Sequence, residues 1–171
     1  PEIAGTQEIE LGRIHAFPNH PFKVLDDERM DMLVESIREN GILNPVIVRP
    51  DKNGDYEMIS GHRRLHAAGI VGLSKIPAIV KEMSDDEAII KMVDANIQRE
   101  EIMPSEKAFA YKMKLEAMKR TAGRPTKENA CHNGTHLRSD QELALQVGDS
   151  ARSIQRYIRL TELIPELLEC I

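Results

Sequence analysis

Arg152, Gln155, Arg156 and Arg159 stand at i, i+3, i+4 and i+7 near the end of the chain. On an α-helix that spacing lines four side chains along one face. Guanidinium forks suit guanine edges and phosphates, and a carboxamide suits adenine. This is therefore the chemistry of a helix that reads duplex DNA from the major groove, with Ser153 beside it in the first turn. The competing reading is a solvated basic face on an ordinary helical hairpin. The elements that must position this face are legible around it. Leu143, Ala144 and Val147 make the inner side of one helix, and Ile154 and Ile158 the inner side of the next. Gly148-Asp149-Ser150 is a short polar turn between them, and Gly148 supplies the positive φ it needs. Residues of about 140–160 thus have the pattern of a helix-turn-helix.

A second constellation suits an anion. Ile59-Ser60-Gly61-His62-Arg63-Arg64 runs from a strand through a glycine into a helix. Backbone N–H groups at a helix start, next to a residue without Cβ, form a cradle for phosphate, and two arginines add charge. The alternative, that Arg63 and Arg64 pair with nearby acids, is equally open. Asn96-Ile97-Gln98-Arg99-Glu100 is a further polar cluster at a helix end, able to close over a ligand held at Gly61. His62 and His66 have metal spacing, but the glutamate a zinc hydrolase carries after its first histidine is Arg63, so hydrogen-bonded histidines are expected.

The first half alternates strands and helices. Ile9 and Leu11 alternate with polar residues as in a short strand. Asp26-Asp27 can cap a helix carrying Met30, Leu33, Val34 and Ile37 on one face, which Asn40-Gly41 stops. Val46–Arg49 and Tyr56–Ile59 flank the turn residues 51–55, the pattern of a hairpin. A short helix runs from Gly61 through Ala68 and is closed by Gly69. Ile76–Val80 is a third apolar strand, and Pro77 suggests that it starts at a sheet edge. Ser84–Glu87 opens a helix with Ile89, Met92 and Val93 inside. From Pro104 onward the chain reads as helical, with Ala108, Tyr111, Leu115 and Met118 as an apolar stripe. Residues 121–138 have no periodicity and read as an exposed loop. The expected fold is α+β: a small mixed-sheet domain over 1–100 and an all-helical domain over 101–171.

Net charge is −5, which on its face argues against a nucleic-acid partner. Its distribution reverses that. Residues 1–103 carry 12 bases and 19 acids, residues 104–160 carry 11 bases and 6 acids, and residues 161–171 carry three acids. The basic surplus coincides with the helical segment. No apolar run approaches the roughly 20 residues of a membrane helix, and no signal-peptide pattern appears. Two cysteines point to a reducing compartment. The expected setting is the bacterial cytoplasm, on the nucleoid or a plasmid. Pro1 and the apolar run reaching Ile171 read as the ends of a piece of something longer.

Four segments in this order resemble the ParB family of DNA-partition proteins and its nucleoid-occlusion relatives, over nearly the whole chain. They are Gly41–Arg49, Gly61-His62-Arg63-Arg64, Ala95-Asn96-Ile97-Gln98-Arg99-Glu100, and Gln141–Leu160. The resemblance implies a fold similar to ParB and sulfiredoxin, and a CTP switch with the triphosphate at Gly61, His62, Arg63, Arg64 and Asn96, and with Arg99 and Glu100 adjoining. Mg²⁺ would accompany the nucleotide. It also implies a palindromic, centromere-like duplex as the target, a ParA-type ATPase as partner, and self-association as a homodimer whose halves close into a sliding clamp. The family's C-terminal dimerisation domain has no counterpart in these 171 residues. Three positions depart from the family: His62 replaces a glutamate, Ala95 replaces the glutamate implicated in turnover, and His20-Pro21-Phe22 stands where the family has Gln-Pro-Arg. At most weak nucleotide hydrolysis is implied, with Asp94 or Glu100 as neighbouring acids.

Other chemistries are less well supported. Gly123-Arg124-Pro125 resembles an AT-hook core, which would send Arg124 into a minor groove; a solvated basic loop is the competing reading. Cys131, His132 and His136 fall one ligand short of a closed zinc site. Sulfiredoxin chemistry needs a cysteine beside its phosphate-binding arginine, and the corresponding stretch here, Ser60-Gly61-His62-Arg63, has none. No glycine is followed by lysine, so there is no Walker loop. A transcriptional or nucleoid-occlusion regulator of the same architecture remains the alternative function.

Overall fold

The computed structural model describes residues 5–97, 102–121 and 139–163. The chain divides into two compact units, 1–84 and 85–171. The packing boundary precedes the one suggested by motifs at residue 100, because the helix that carries Asn96 packs within the second unit.

The first unit holds β1 (Thr6–Glu10), β2 (Ile14–His15), α1 (Glu28–Asn40), β3 (Val46–Pro50), β4 (Tyr56–Ser60), α2 (His62–Val71) and β5 (Lys75–Val80). The five strands form one mixed sheet in the order β1-β5-β3-β4-β2. β3 and β4 pair antiparallel across the 51–55 turn, with Arg49 opposite Glu57. Ile9, Ile14, Val46, Val48, Met58, Ile76 and Ala78 are buried together on one side with Ala68 of α2. Met30, Val34 and Ile37 of α1 pack on Ala67, the neighbouring residue. Two adjacent alanines therefore let α2 meet both the sheet and α1 closely.

Asp27 caps α1 as expected: its carboxylate accepts from the Met30 N–H at 2.9 Å. Three expectations fail. Gly69 does not close α2, which runs on to Val71 and ends at Gly72, a left-handed residue at φ +85° whose N–H bonds back to Ala68 and Gly69. Nor is β5 at an edge, since β1 and β3 flank it. Pro77 is tolerated because the parallel pairing to β3 starts only at Ala78, so no N–H is asked of residue 77 on that side. Leu11 belongs to a 3₁₀ turn at Leu11–Arg13 rather than to β1.

The second unit holds α3 (Asp85–Ile97), α4 (Pro104–Thr121), α5 (Ser139–Val147) and α6 (Ala151–Leu160). Pro104 opens α4, where its missing N–H costs nothing. Asp85, Asp86 and Glu87 fill the first turn of α3 and complement the helix dipole. Tyr111, Leu115 and Met118 of α4 make one core with Leu143, Ala144 and Ile154, and Ile90 and Ile97 of α3 pack against it. Lys114, only 1% exposed, lies on the same helix and pairs with Asp94 of α3.

Candidate functional site

The start of α2 gathers the first set of expected residues. Gly61 precedes the helix at φ +113°, and no side chain caps the turn. A Cβ on Gly61 would lie 2.6 Å from Val46 Cγ1. Both the backbone conformation and the close approach of β3 therefore demand glycine here. The result is an open helix N-terminus, the geometry that receives an anion.

The side chains around it are already engaged. Arg63 donates to Asp27 Oδ1 at 3.0 Å, the same oxygen that caps α1. His66, one turn on, donates through Nε2 to Asp26 at 2.7 Å. Two consecutive acids at the start of α1 thus hold two residues of one α2 face. Acid pairing, the alternative left open by the sequence, accounts for Arg63. Arg64 goes instead to main-chain carbonyls, donating to Pro45 O at 2.9 Å and also to Asn44 O. Burial lowers its pKa from the usual guanidinium value. His62 is buried and stacks on His20, ring centroids 3.7 Å apart at 33°. His20 Nδ1–H in turn donates to the Phe22 carbonyl at 2.7 Å. Two of the three positions that depart from the family therefore touch each other, which no spacing rule reveals. Among the described residues no group of three or more His, Cys, Asp or Glu could hold an ion.

Asn96 lies on α3 in the second unit. It is buried, and its Nδ2 donates to the Met92 carbonyl at 2.7 Å. Asp94, the acid next to Ala95, is committed to Lys114. Arg99, Glu100 and Arg124, together with Cys131, His132 and His136, lie outside the described residues.

The second set of expected residues sits on α6. Arg152, Gln155, Arg156 and Arg159 are all exposed, while Ile154 is fully buried. Among the described residues, none of the three arginines makes an ion pair, which leaves their guanidinium charge unneutralised. Ser153 is half-buried, and its N–H is taken by the Ser150 side chain at 3.0 Å, the N-cap of the helix. Gln155 Nε2 lies 3.4 Å from Asp140 Oδ2, a long contact that turns its amide toward α5. Gly148 has φ +73°, as the turn requires.

No local sequence signal marks what stands behind α6. Asp149, in the turn, accepts from the Tyr111 hydroxyl and from Lys107 Nζ at 3.0 Å. The Lys107 ammonium lies 4.9 Å from the Tyr157 ring centroid and 5.5 Å from that of Tyr111. The two tyrosine rings meet edge to face at 5.7 Å. Burial, then the hydrogen bond to Asp149, pushes the Tyr111 hydroxyl pKa well up. The same hydrogen bond, then Lys107, holds the Asp149 carboxyl below the usual range.

A mixed sheet with two helices thus makes one unit, and helices with a short interhelical turn make the other. Residues 2–97 match the ParB N-terminal domain family, and the chain belongs to it. It is 35% identical over 168 residues to the chromosome-partitioning protein Spo0J of Thermus thermophilus, covering 98% of this chain and 55% of that protein. Against a nucleoid occlusion protein of Bacillus cereus identity is 34% over 161 residues, 94% of this chain and 49% of the other. The chain thus spans about half the length of these relatives. The C-terminally truncated ParB of Caulobacter crescentus is similar in structure. Complexed with CTP-gamma-S it gives a TM-score of 0.51 at 28% identity, covering 97% of this chain and 83% of that one. Complexed with the centromeric parS site the values are 0.58 and 24%, covering 95% and 75%.

Proposed function

We propose that this chain is the nucleotide- and DNA-binding part of a partition protein that binds a specific duplex site in the bacterial cytoplasm. The observation that carries the reading is the face of α6. Three exposed arginines without ion pairs, and one carboxamide, share one side of a helix whose opposite side is anchored by Ile154. The kinship with chromosome-partitioning proteins supports it. In this reading α5 and α6 form a helix-turn-helix, and Arg152, Ser153, Gln155, Arg156 and Arg159 meet the DNA, with Arg124 an added minor-groove contact. The target is a palindromic, centromere-like site bound by a homodimer, and a ParA-type ATPase is the partner.

CTP is the proposed gate, on the strength of the CTP-gamma-S complex of the Caulobacter relative. The N-terminus of α2 suits a phosphate group, because no side chain caps its first turn and the Arg64 guanidinium lies beside Gly61. Gly61, His62, Arg63 and Arg64 would hold the phosphates. Arg63 would then leave or share Asp27. Mg²⁺ would ride on phosphate oxygens and water, which needs no protein cage. Turnover is weak or absent, since Ala95 carries no carboxylate and Asp94 serves Lys114.

A nucleoid-occlusion role is the second reading, favoured by a nearly equal identity to the Bacillus cereus protein. Isothermal titration with CTP, ATP, GTP and UTP in the presence of Mg²⁺ tests the gate: selective CTP binding is expected, and no binding of any nucleotide overturns it. Duplex binding by the wild-type chain and by an Arg152→Ala/Arg156→Ala variant tests the DNA reading. Unchanged affinity and sequence preference overturn the assignment of α6.

A further inference from the structure

Helix α6 has one fully buried residue. Ile154 is 0% exposed, Ile158 is only partly covered, and every other side chain of the helix is half-buried or exposed. One buried knob is a pivot rather than a lock. It fixes where the helix sits and leaves tilt and roll to other contacts. The rise of 1.5 Å per residue puts Arg159 about 7.5 Å from that pivot, so a tilt of about 10° displaces its backbone by about 1.3 Å. That exceeds the roughly 0.5 Å window in which an N–H···O bond keeps its strength. A helix that discriminates bases needs further points of support.

Two such points flank the pivot, and both rest on one turn of α4. Asp149, five residues before Ile154, is held by the Tyr111 hydroxyl and by Lys107 Nζ at 3.0 Å. Tyr157, three residues after it, receives the Lys107 ammonium on its ring face at 4.9 Å and packs edge-on to Tyr111 at 5.7 Å. Lys107 and Tyr111 are themselves one turn apart on α4. A single cation thus grips both the turn before α6 and a ring in its middle, and a single tyrosine does the same. Further along, Lys112 Nζ lies 3.4 Å from Thr161 Oγ1, just past the end of the helix. None of these residues belongs to the exposed arginine face.

We infer that Lys107 and Tyr111 of α4, acting through Asp149 and Tyr157, are positioning residues that set the sequence specificity of α6. They aim the arginine face without touching DNA. The inference rests on the reading of α6 as the DNA-reading helix. It separates two quantities that a simple binding assay merges. Charge attraction to phosphates needs only the arginines and tolerates a small tilt. Base discrimination needs the aim, and loss of one bidentate base contact is a change of about 5- to 150-fold.

The test is selection from a random-sequence duplex pool by the wild-type chain and by Tyr111→Phe, Asp149→Ala and Lys107→Met, followed by affinities for the selected duplex and for one unselected duplex. Leu143→Ala, which opens the same core without touching the polar contacts, is the control for lost stability. All are assayed at a temperature where circular dichroism shows them folded. The expected result is that affinity for the unselected duplex and its salt slope stay within about twofold of wild type in every variant. The ratio of selected to unselected affinity falls at least fivefold in Asp149→Ala and Lys107→Met. Tyr111→Phe, which keeps the ring and loses one hydrogen bond, falls less, and Leu143→Ala keeps the wild-type ratio. An unchanged ratio in Asp149→Ala and Lys107→Met overturns the inference, as does an equal fall in Leu143→Ala. If the wild-type chain itself enriches no sequence, the DNA-reading assignment of α6 fails, and the inference with it.

Discussion

Replacing Asp94 should destabilise the helical unit far more than replacing Lys114, the group it neutralises. Lys114 is 1% exposed and Asp94 49% exposed, so the pair is lopsided: the cation is inside and the anion at the rim. Asp94→Asn leaves an ammonium buried without a counter-charge, a loss of roughly 3–5 kcal/mol for a buried pair. Water reaching the rim offsets part of it, which places the expected cost near the lower end, about 3 kcal/mol. Lys114→Met removes the charge, keeps an unbranched side chain of similar length, and leaves Asp94 in contact with water. Its cost should be within about 1 kcal/mol. The double variant should then be more stable than Asp94→Asn alone, with a coupling of about 2–3 kcal/mol. Urea unfolding followed by far-ultraviolet circular dichroism and tyrosine emission measures this; the chain has three tyrosines and no tryptophan, and Tyr111 and Tyr157 report on the helical unit. Equal costs for the two single variants, or simple additivity in the double, would mean that Asp94 is not the counter-ion of a buried ammonium. The outcome also bears on function. An acid required as a counter-ion is not spare for nucleotide turnover, so the double variant should keep whatever hydrolysis the wild-type chain shows.

Gly61→Ala should cost about 1–3 kcal/mol from its backbone conformation alone, more once Val46 is displaced, and should abolish nucleotide binding by titration even in the folded fraction. Asp149 makes the helical unit acid-sensitive. Its carboxyl is held low by the Tyr111 hydroxyl and Lys107, so its contribution is complete above the unfolded carboxylate value of about 4 and drains as pH falls through the lower folded value. Asp149→Asn should flatten that acid limb in melting curves, and an unchanged limb would contradict the assignment. Arg156→Ala should weaken specific duplex binding by about 1–3 kcal/mol without shifting the melting temperature, because the side chain is exposed and makes no ion pair.

The α6 face was legible because helical geometry converts spacing directly into a shared side, and Ile154 at the interior position fixed which side. Asp27 was legible as a cap for a similar reason: the rule links residues three apart. What failed was either too short or too distant for such rules. β2 is two residues long, and no alternation can show in two residues. Gly69 and Gly72 carry the same local signal, and only the hydrogen bonds of the helix end choose between them. Pro77 marks where a strand's pairing begins, which resembles an edge until the neighbouring strand is placed. Lys114 reads as a surface lysine until Asp94 and the core around it are brought together. The polar grip on Asp149 and Tyr157 joins residues 38 and more positions apart in sequence. Arg63 and Arg64 show that a motif does not disclose the bonds its residues make, here to Asp27 and to the carbonyls of Asn44 and Pro45.

In the proposed reading the chain belongs to a protein that seeks one duplex site. That reading is tested most directly by crosslinking the protein to DNA in its own cells, immunoprecipitating it and sequencing the bound DNA. The expected outcome is one or a few sharp peaks sharing a palindromic sequence, lost in an Arg152→Ala/Arg156→Ala strain. Coverage that is uniform along the DNA, or peaks that survive that substitution, would contradict it.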